Sequence, residues 1–392
     1  EPRRYALHSL LRQFAADKLA DETTAIDQAF VGYFRQFARD HRTEYARLQP
    51  EWGNFLAAMS KAQGPAVLEL AGLLDEAWWR QIRFHDMRRG WGLARGAAAA
   101  LPDPPAEARA RLRLGEIEME LNDYEAATTH LAQALEWLTR LEDGWGIAQT
   151  QYLTGRIRNE QARDDEALAL FEASRRLFAE EGDWRGVAKN LNLIAVCHVK
   201  MRRDFATARA LLAEAVALQQ GQPLSSAYIE TLRNMARVRG WTGDTAAAEA
   251  CLIEATDASR QLGGVGEYAA VLYERVLLAR RRGLWDDALA LGAECLELFR
   301  KLGSLRWEGL LKTQLGLLWQ AKQDAGRAGA LLNEGLDIFR ELGDRYEQAY
   351  SWYYLYQLYA EIGQEGPAHH AREQARRIND ELDDPQLRER LG

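Results

Sequence analysis

Cysteine is nearly missing from this chain of 392 residues. Cys197, Cys251 and Cys295 are far apart and form no CxxC pair. A disulfide framework and a thiolate metal site are therefore not expected, and a reducing cytoplasm suits the composition. Long apolar runs are missing too. No stretch reaches the ~18 consecutive apolar residues of a membrane span, so no membrane partner is expected. Proline is scarce, nine in all, with none between Pro223 and Pro367. Strand signals are lacking, because no alternating β-branched run is bounded by Asn-Gly or Asp-Gly turns. Positive charge is in deficit. A net charge of −8 argues against direct nucleic-acid binding by the whole molecule.

What remains favours folded helices. Hydrophobic residues make up 47% and charged residues 28%, the balance of an ordered chain. Its length calls for two or three compact domains or one repeat array. Ala, Leu, Glu and Arg dominate the proline-free stretch, and these lose least on entering a helix. Gly182-Asp183, Gly243-Asp244 and Gly343-Asp344 punctuate it at steady intervals. A glycine closing one helix in the left-handed conformation, followed by an Asp cap on the next, explains such pairs. Ser304 after Gly303 is expected to cap in the same way.

A repeat decides the architecture. Ala127, Ala167, Ala208, Ala248, Ala288, Ala328 and Ala368 are separated by 40 residues, or 41 once. Seven residues beyond each stands another small side chain: Ala134, Ser174, Ala215, Ala255, Cys295, Gly335 and Ala375. Four residues beyond most stands a large apolar one, as at Leu131, Phe171, Leu212, Leu252 and Leu332, while Gly292 and Arg372 depart. Upstream by twelve residues (thirteen in one repeat) lie Gly115, Gly155, Ala195, Ala236, Val276, Gly316 and Tyr356. Spacings of four and seven put these groups on one helix face, where small residues admit a second helix. The pattern predicts an all-α, right-handed α-solenoid of about eight helix–turn–helix repeats from about Ala66 to Leu382. No sheet is expected beyond a short remnant near Tyr5.

These offsets resemble the tetratricopeptide repeat, with Leu114-Gly115 through Asn122-Asp123-Tyr124-Glu125-Ala126-Ala127 to Leu131 and Ala134 fitting its pattern. Its usual period is about 34 residues, so longer helices or turns are implied. A degenerate repeat at 66–106 places Gly90, Ala94 and Ala97 in the small-residue roles. Seven repeats follow at 107–382, and 383–392 form a C-terminal tail. Upstream, Tyr5-Ala6-Leu7-His8-Ser9-Leu10-Leu11-Arg12-Gln13-Phe14 resembles the end of the winged-helix domain of STAND-type signalling ATPases. That assigns 1–20 to the winged helix and 21–65 to a helical bridging segment, with Asn54 at the family's recurrent asparagine. The chain opens on Glu1 and is expected to be excised from a longer polypeptide. The resemblance implies a sensor region that controls the protein's own nucleotide-binding domain. A regulatory region of MalT-type or AfsR-type transcription activators, or a passive interaction scaffold, stands as the alternative.

Catalytic chemistry is not expected. No Gly-Lys pair occurs, so the chain lacks a GxxxxGK[ST] loop to cradle phosphates. His369 and His370 diverge by about 100° on a helix, and no HExxH occurs, so neither metal nor cofactor is implied. Cys197 and His198 point apart as helical neighbours, and Cys295 occupies a small packing site. Asp164-Asp165, Asp286-Asp287 and Asp383-Asp384 read as helix caps before they read as catalysts.

A binding face is more legible. In the repeat that this chain resembles, the groove is lined from the first helix at fixed offsets around its small site. Those offsets select Tyr152, Arg156, Asn159, Lys189, Asn192, Lys200, Arg233, Arg237, Trp241, Tyr273, Arg280 and Arg281. From Gln149 to Arg281 the lining set carries seven cations and two acids, in a chain that is acidic as a whole. Arginine and asparagine directed into a groove suit a carboxylate, a phosphate or an extended peptide. The expected ligand is a peptide or protein of acidic character.

Overall fold

A computed structural model of the chain describes residues 23–392 apart from Ile82, Pro102, Ala162 and Arg203. The expected winged-helix end and the strand remnant near Tyr5 lie outside the described residues. Among those residues every regular element is helical and none is a strand. None of the helices is long and apolar enough to cross a membrane. The chain clusters into two compact units, one up to Leu153 and one from Thr154 to Gly392.

The first unit opens with α1 (Thr23–His41), α2 (Tyr45–Leu48), a 3-10 turn at Gln49–Glu51 and α3 (Trp52–Lys61). A hairpin of α4 (Pro65–Arg80) and α5 (Phe84–Ala100) follows, then α6 (Pro104–Glu120) and α7 (Tyr124–Arg140). Its core gathers Phe34, Trp52, Phe55, Met59, Trp78 and Met87. Glu69 joins α1 to α4 by accepting from Arg35 and Arg39. Asn54 stays on the surface, donating to Glu51. In the degenerate repeat, a Cβ on Gly90 would lie 2.6 Å from the Trp78 ring, so only glycine admits that indole. Ala94 is fully buried as expected, but Ala98 is the next buried position and Ala97 is only half-buried.

The division falls within α8 (Gly144–Glu160), which α9 (Asp164–Glu180) follows. First and second helices then alternate: α10 (Trp184–Arg202) with α11 (Phe205–Gln219), and α12 (Ser226–Trp241) with α13 (Thr245–Leu262). Next come α14 (Val265–Arg281) with α15 (Trp285–Leu302), and α16 (Leu305–Ala321) with α17 (Ala325–Glu341). The last pair is α18 (Arg345–Glu361) with α19 (Glu365–Leu382). The expected tail forms a further helix, α20 (Pro385–Leu391), which buries Leu387 and Leu391 against Ala349, Tyr353 and Ile378.

The alanine periodicity is a packing code. Ala127, Ala167, Ala208, Ala248, Ala288 and Ala328 are fully buried, and Ala368 nearly so. At Gly115, Gly155 and Gly316 the large residue of the second helix, Leu131, Phe171 or Leu332, enters the small site of its first helix. A Cβ on Gly155 would sit 2.7 Å from Phe171, and one on Gly316 would sit 2.9 Å from Leu332. The departures compensate locally. Where Gly292 replaces the large residue, Leu315 of α16 occupies the space, 2.5 Å from where a Cβ would be. In the last repeat the bulky Tyr356 stands at the small site and the Arg372 guanidinium lies 5.6 Å over its ring.

The turns follow the glycine–aspartate rule. Gly182, Gly243 and Gly343 have positive φ, and Asp183, Asp244 and Asp344 accept from the backbone N–H groups of the next helix. Three expected caps differ. Ser304 makes no side-chain cap bond, and Asp164-Asp165 and Asp286-Asp287 lie inside the first turn, after Arg163 and Leu284. There they act on the helix dipole, because carboxylates at the first three helical positions lie beside the unpaired amides of the first turn. Asp384 does cap α20, while Asp383 is the left-handed residue closing α19.

Replacing Ala248 by Leu adds three carbons at a closed crossing and is expected to lower stability by about 1–3 kcal/mol. Repeat contacts are mainly with neighbours, so the damage stays local. Thermal unfolding checks this, and an unchanged midpoint would refute the register.

Candidate ligand-binding face

Successive first helices from α10 to α18 touch one another, which puts them on the inner side of the second unit. The strip they form is crossed by contacts between distant repeats. Arg306 at the start of α16 lies 3.6 Å from Glu160 at the end of α8. Gln386 of α20 donates to the Lys200 backbone oxygen of α10 at 3.3 Å.

Seven of the expected lining residues fall into three groups. Asn159 donates to Asp164 at 2.9 Å and Lys200 pairs with the same carboxylate at 2.8 Å. Arg233, Arg237 and Glu274 form the second group. Arg237 hydrogen-bonds Glu274, and Arg233 lies 3.8 Å from it. The third is aromatic: Arg281 lies 5.2 Å over the exposed Trp241, and buried Tyr273 meets the Trp307 ring edge-on at 5.3 Å. Tyr152 is buried, and Arg156 and Lys189 are half-buried on α8 and α10.

Asn192 does not line open space as expected. It is fully buried and donates to Thr231 at 2.8 Å, joining α10 to α12. An amide between two first helices satisfies the neighbouring helix before it can meet a ligand. Nor is Asn159 open for a peptide backbone, since Asp164 engages it. Cys197 sits beside Asn159 at 3.7 Å, and burial pushes its thiol up to about 12. Cys295 donates to the Ala269 backbone oxygen at 3.3 Å, in the core.

The electrostatics show which charges are compensated. Burial alone would push the Glu274 carboxyl up, but Arg237, Arg233 and Arg281 reverse this and hold it below its usual range. Burial holds the Arg233 guanidinium down, with Glu274 opposing and Arg237 adding to the effect. Burial and neighbouring Arg280 bring Arg281 down to about 10. The Nε atoms of Arg233 and Arg280 are buried without a hydrogen-bond partner. Arg280 makes no ion pair among the described residues.

Sequence reasoning counted Glu160 in the lining set but missed the acidic cluster it joins. Arg306 is shared by Asp344 at 2.9 Å, Glu160 at 3.6 Å and Glu347 at 3.9 Å. Burial opposes the Arg306 charge, yet the three carboxylates keep its proton above the usual range. Glu347 is pushed up to about 7 by burial, with Asp344 and Glu160 adding and Arg306 opposing. The signal for Glu274 was its place seven residues before Arg281; no local pattern marks Arg306 or Glu347.

A pH dependence follows. Glu347 releases its proton near 4.5 when unfolded and near 7 when folded, so the native state binds more protons between those values. Stability should fall as pH rises from about 4.5 to about 7 and then level off. Urea titrations check this, with Glu347→Gln expected to remove that slope.

No family model and no curated protein matches the chain. Solved structures do resemble it. One is a Rap protein complexed with Competence and Sporulation Factor, at a TM-score of 0.65 and 10% identity, covering 89% of this chain and 99% of that one. Another is the Rap conjugation gene regulator of the plasmid pLS20 in complex with a Phr peptide, at 0.62 and 13%, covering 93% and 98%. The tetratricopeptide repeat sensor-bearing STAND protein from Pyrococcus horikoshii matches at 0.52 and 16%, covering 70% of this chain and 40% of that one. At such identities the likeness concerns the fold. By fold, the chain is an all-α protein of tetratricopeptide-like helical repeats.

Proposed function

We propose that this chain is a non-catalytic sensor that binds a peptide or protein on the inner face of its first helices. The observation that carries the reading is the arginine-rich strip of α12 and α14, where Arg280 lacks an acidic partner and Arg233 and Arg280 keep buried donors unmet. Packing alone does not call for uncompensated guanidinium groups, whereas a ligand carboxylate satisfies them through strong charge-assisted bonds. Two of the similar structures are peptide or factor complexes of Rap proteins, which supports a peptide as ligand. The likeness to a STAND sensor supports the finer reading, in which binding controls a nucleotide-binding domain of the same polypeptide. No cofactor enters this role.

The test is retention of a randomised hexapeptide pool on the immobilised chain, quantified by mass spectrometry. Retention is expected to weaken with added salt. It should drop in an Arg280→Ala, Arg281→Ala variant whose circular dichroism is unchanged. Undiminished retention by the folded variant would reject this face.

A further inference from the structure

We infer that the inner face of residues 154–392 is a bipolar site, taking a ligand that carries a cationic and an anionic group a short distance apart. This rests on the peptide-binding reading above and names the charge pattern of the occupant.

The inner face separates its charges instead of neutralising them. On α12 and α14 the row Arg233, Arg237, Arg280 and Arg281 lies with two acids, Glu274 and Glu230, which act on Arg233 and Arg237. Across the strip, on α8, α16 and α18, the carboxylates of Glu160, Asp344 and Glu347 share the single cation Arg306. Counted over these residues with every group ionised, one side has two positive charges in excess and the other two negative. The clusters are close together. Both Glu274 and Glu347 act on the Tyr273 hydroxyl, and Arg280 and Glu347 both act on Tyr354. Trp307, next in sequence to Arg306, lies 5.8 Å from the Arg233 guanidinium.

Each side also has unused bonding capacity. The buried Nε donors of Arg233 and Arg280 have no acceptor. Glu160 and Glu347 stand 3.6 and 3.9 Å from Arg306, beyond hydrogen-bond distance, so their oxygens can accept from a second cation. Burial first, and like-charged neighbours after it, push Glu347 up to about 7 and bring Arg281 down to about 10. A ligand with a carboxylate toward α12 and α14 and an ammonium toward Glu160 and Glu347 relieves both excesses at once. A short peptide with free ends, or a segment with opposite charges a few residues apart, has that chemistry.

The experiment uses the hexapeptide pool in four forms: both ends free, N-acetylated, C-amidated, and blocked at both ends. At pH 8 Glu347 is ionised. Retention of the free form is expected to exceed that of each singly blocked form by about tenfold or more, the loss of one charge-assisted contact. Glu347→Gln should erase the advantage of a free amine and keep that of a free carboxylate, and Arg280→Gln should do the reverse. Equal retention of all four forms by the unmodified protein would overturn the bipolar site while leaving a peptide-binding face. Retention of none would overturn both. The capping comparison needs no variant, so a substitution that fails to fold does not leave the inference unexamined.

Discussion

Replacing Glu274 by Gln is expected to destabilise the chain by about 3–5 kcal/mol, as happens when one partner of a buried ion pair is removed. Glu274 is 3% exposed and is engaged by Arg237 and, at 3.8 Å, by Arg233. The amide keeps the shape and removes the only buried counter-charge, among the described residues, in direct contact with those guanidinium groups. Chemical denaturation measures the loss. Replacing the whole cluster, as Arg233→Met, Arg237→Met and Glu274→Leu, should recover most of it, because the two guanidinium groups that Glu274 compensates are then removed together with it. A single Glu274→Gln variant as stable as the parent would show that the arginines are neutralised elsewhere. The same triple variant should abolish ligand retention if the arginines recognise an anion, which separates their two roles.

Phe171→Ala is the second large effect, expected to cost about 3–5 kcal/mol. Phe171 is fully buried, and its ring occupies the site that Gly155 leaves open, 2.7 Å from where a Cβ would stand. Truncation removes the ring and leaves a cavity that two rigid helices cannot close. Adding Gly155→Val to Phe171→Ala refills part of that cavity, so the double variant should lose less than the sum of the single losses. Gly155→Val alone should be destabilising, since the ring then has no room. Denaturation of the three variants forms a double-mutant cycle. Additive losses would mean that the two positions do not share one site.

How much was legible depended on the range of the interaction. Helix type, caps and the intra-repeat contacts follow from spacing, because a residue four or seven positions along a helix has a known direction. Ala208, Ala248 and their equivalents were readable for that reason, and so were the left-handed glycines before aspartate caps. Ser304 misled because a cap residue type does not ensure that its hydroxyl turns toward the helix. Asn192 misled because a lining offset specifies the inner side of a helix but not whether a neighbouring first helix covers it.

Within residues 154–392, the sequence by itself determined the repeat: which residues form each hairpin and which positions are the small sites where its helices cross. Tertiary structure alone decided how the inner charges meet. Gln386 finds the Lys200 carbonyl across 186 residues, and Arg306 draws together carboxylates from the end of α8 and the start of α18. Each repeat turns slightly on its neighbour, and those rotations add up over several repeats. A local pattern sets each rotation only loosely, so the partner of an inner side chain several repeats away has no signature in the sequence around it. The arginines of α12 and α14 were visible as a row. Their one buried acid, and the opposed acidic cluster, emerge only when the helices are stacked.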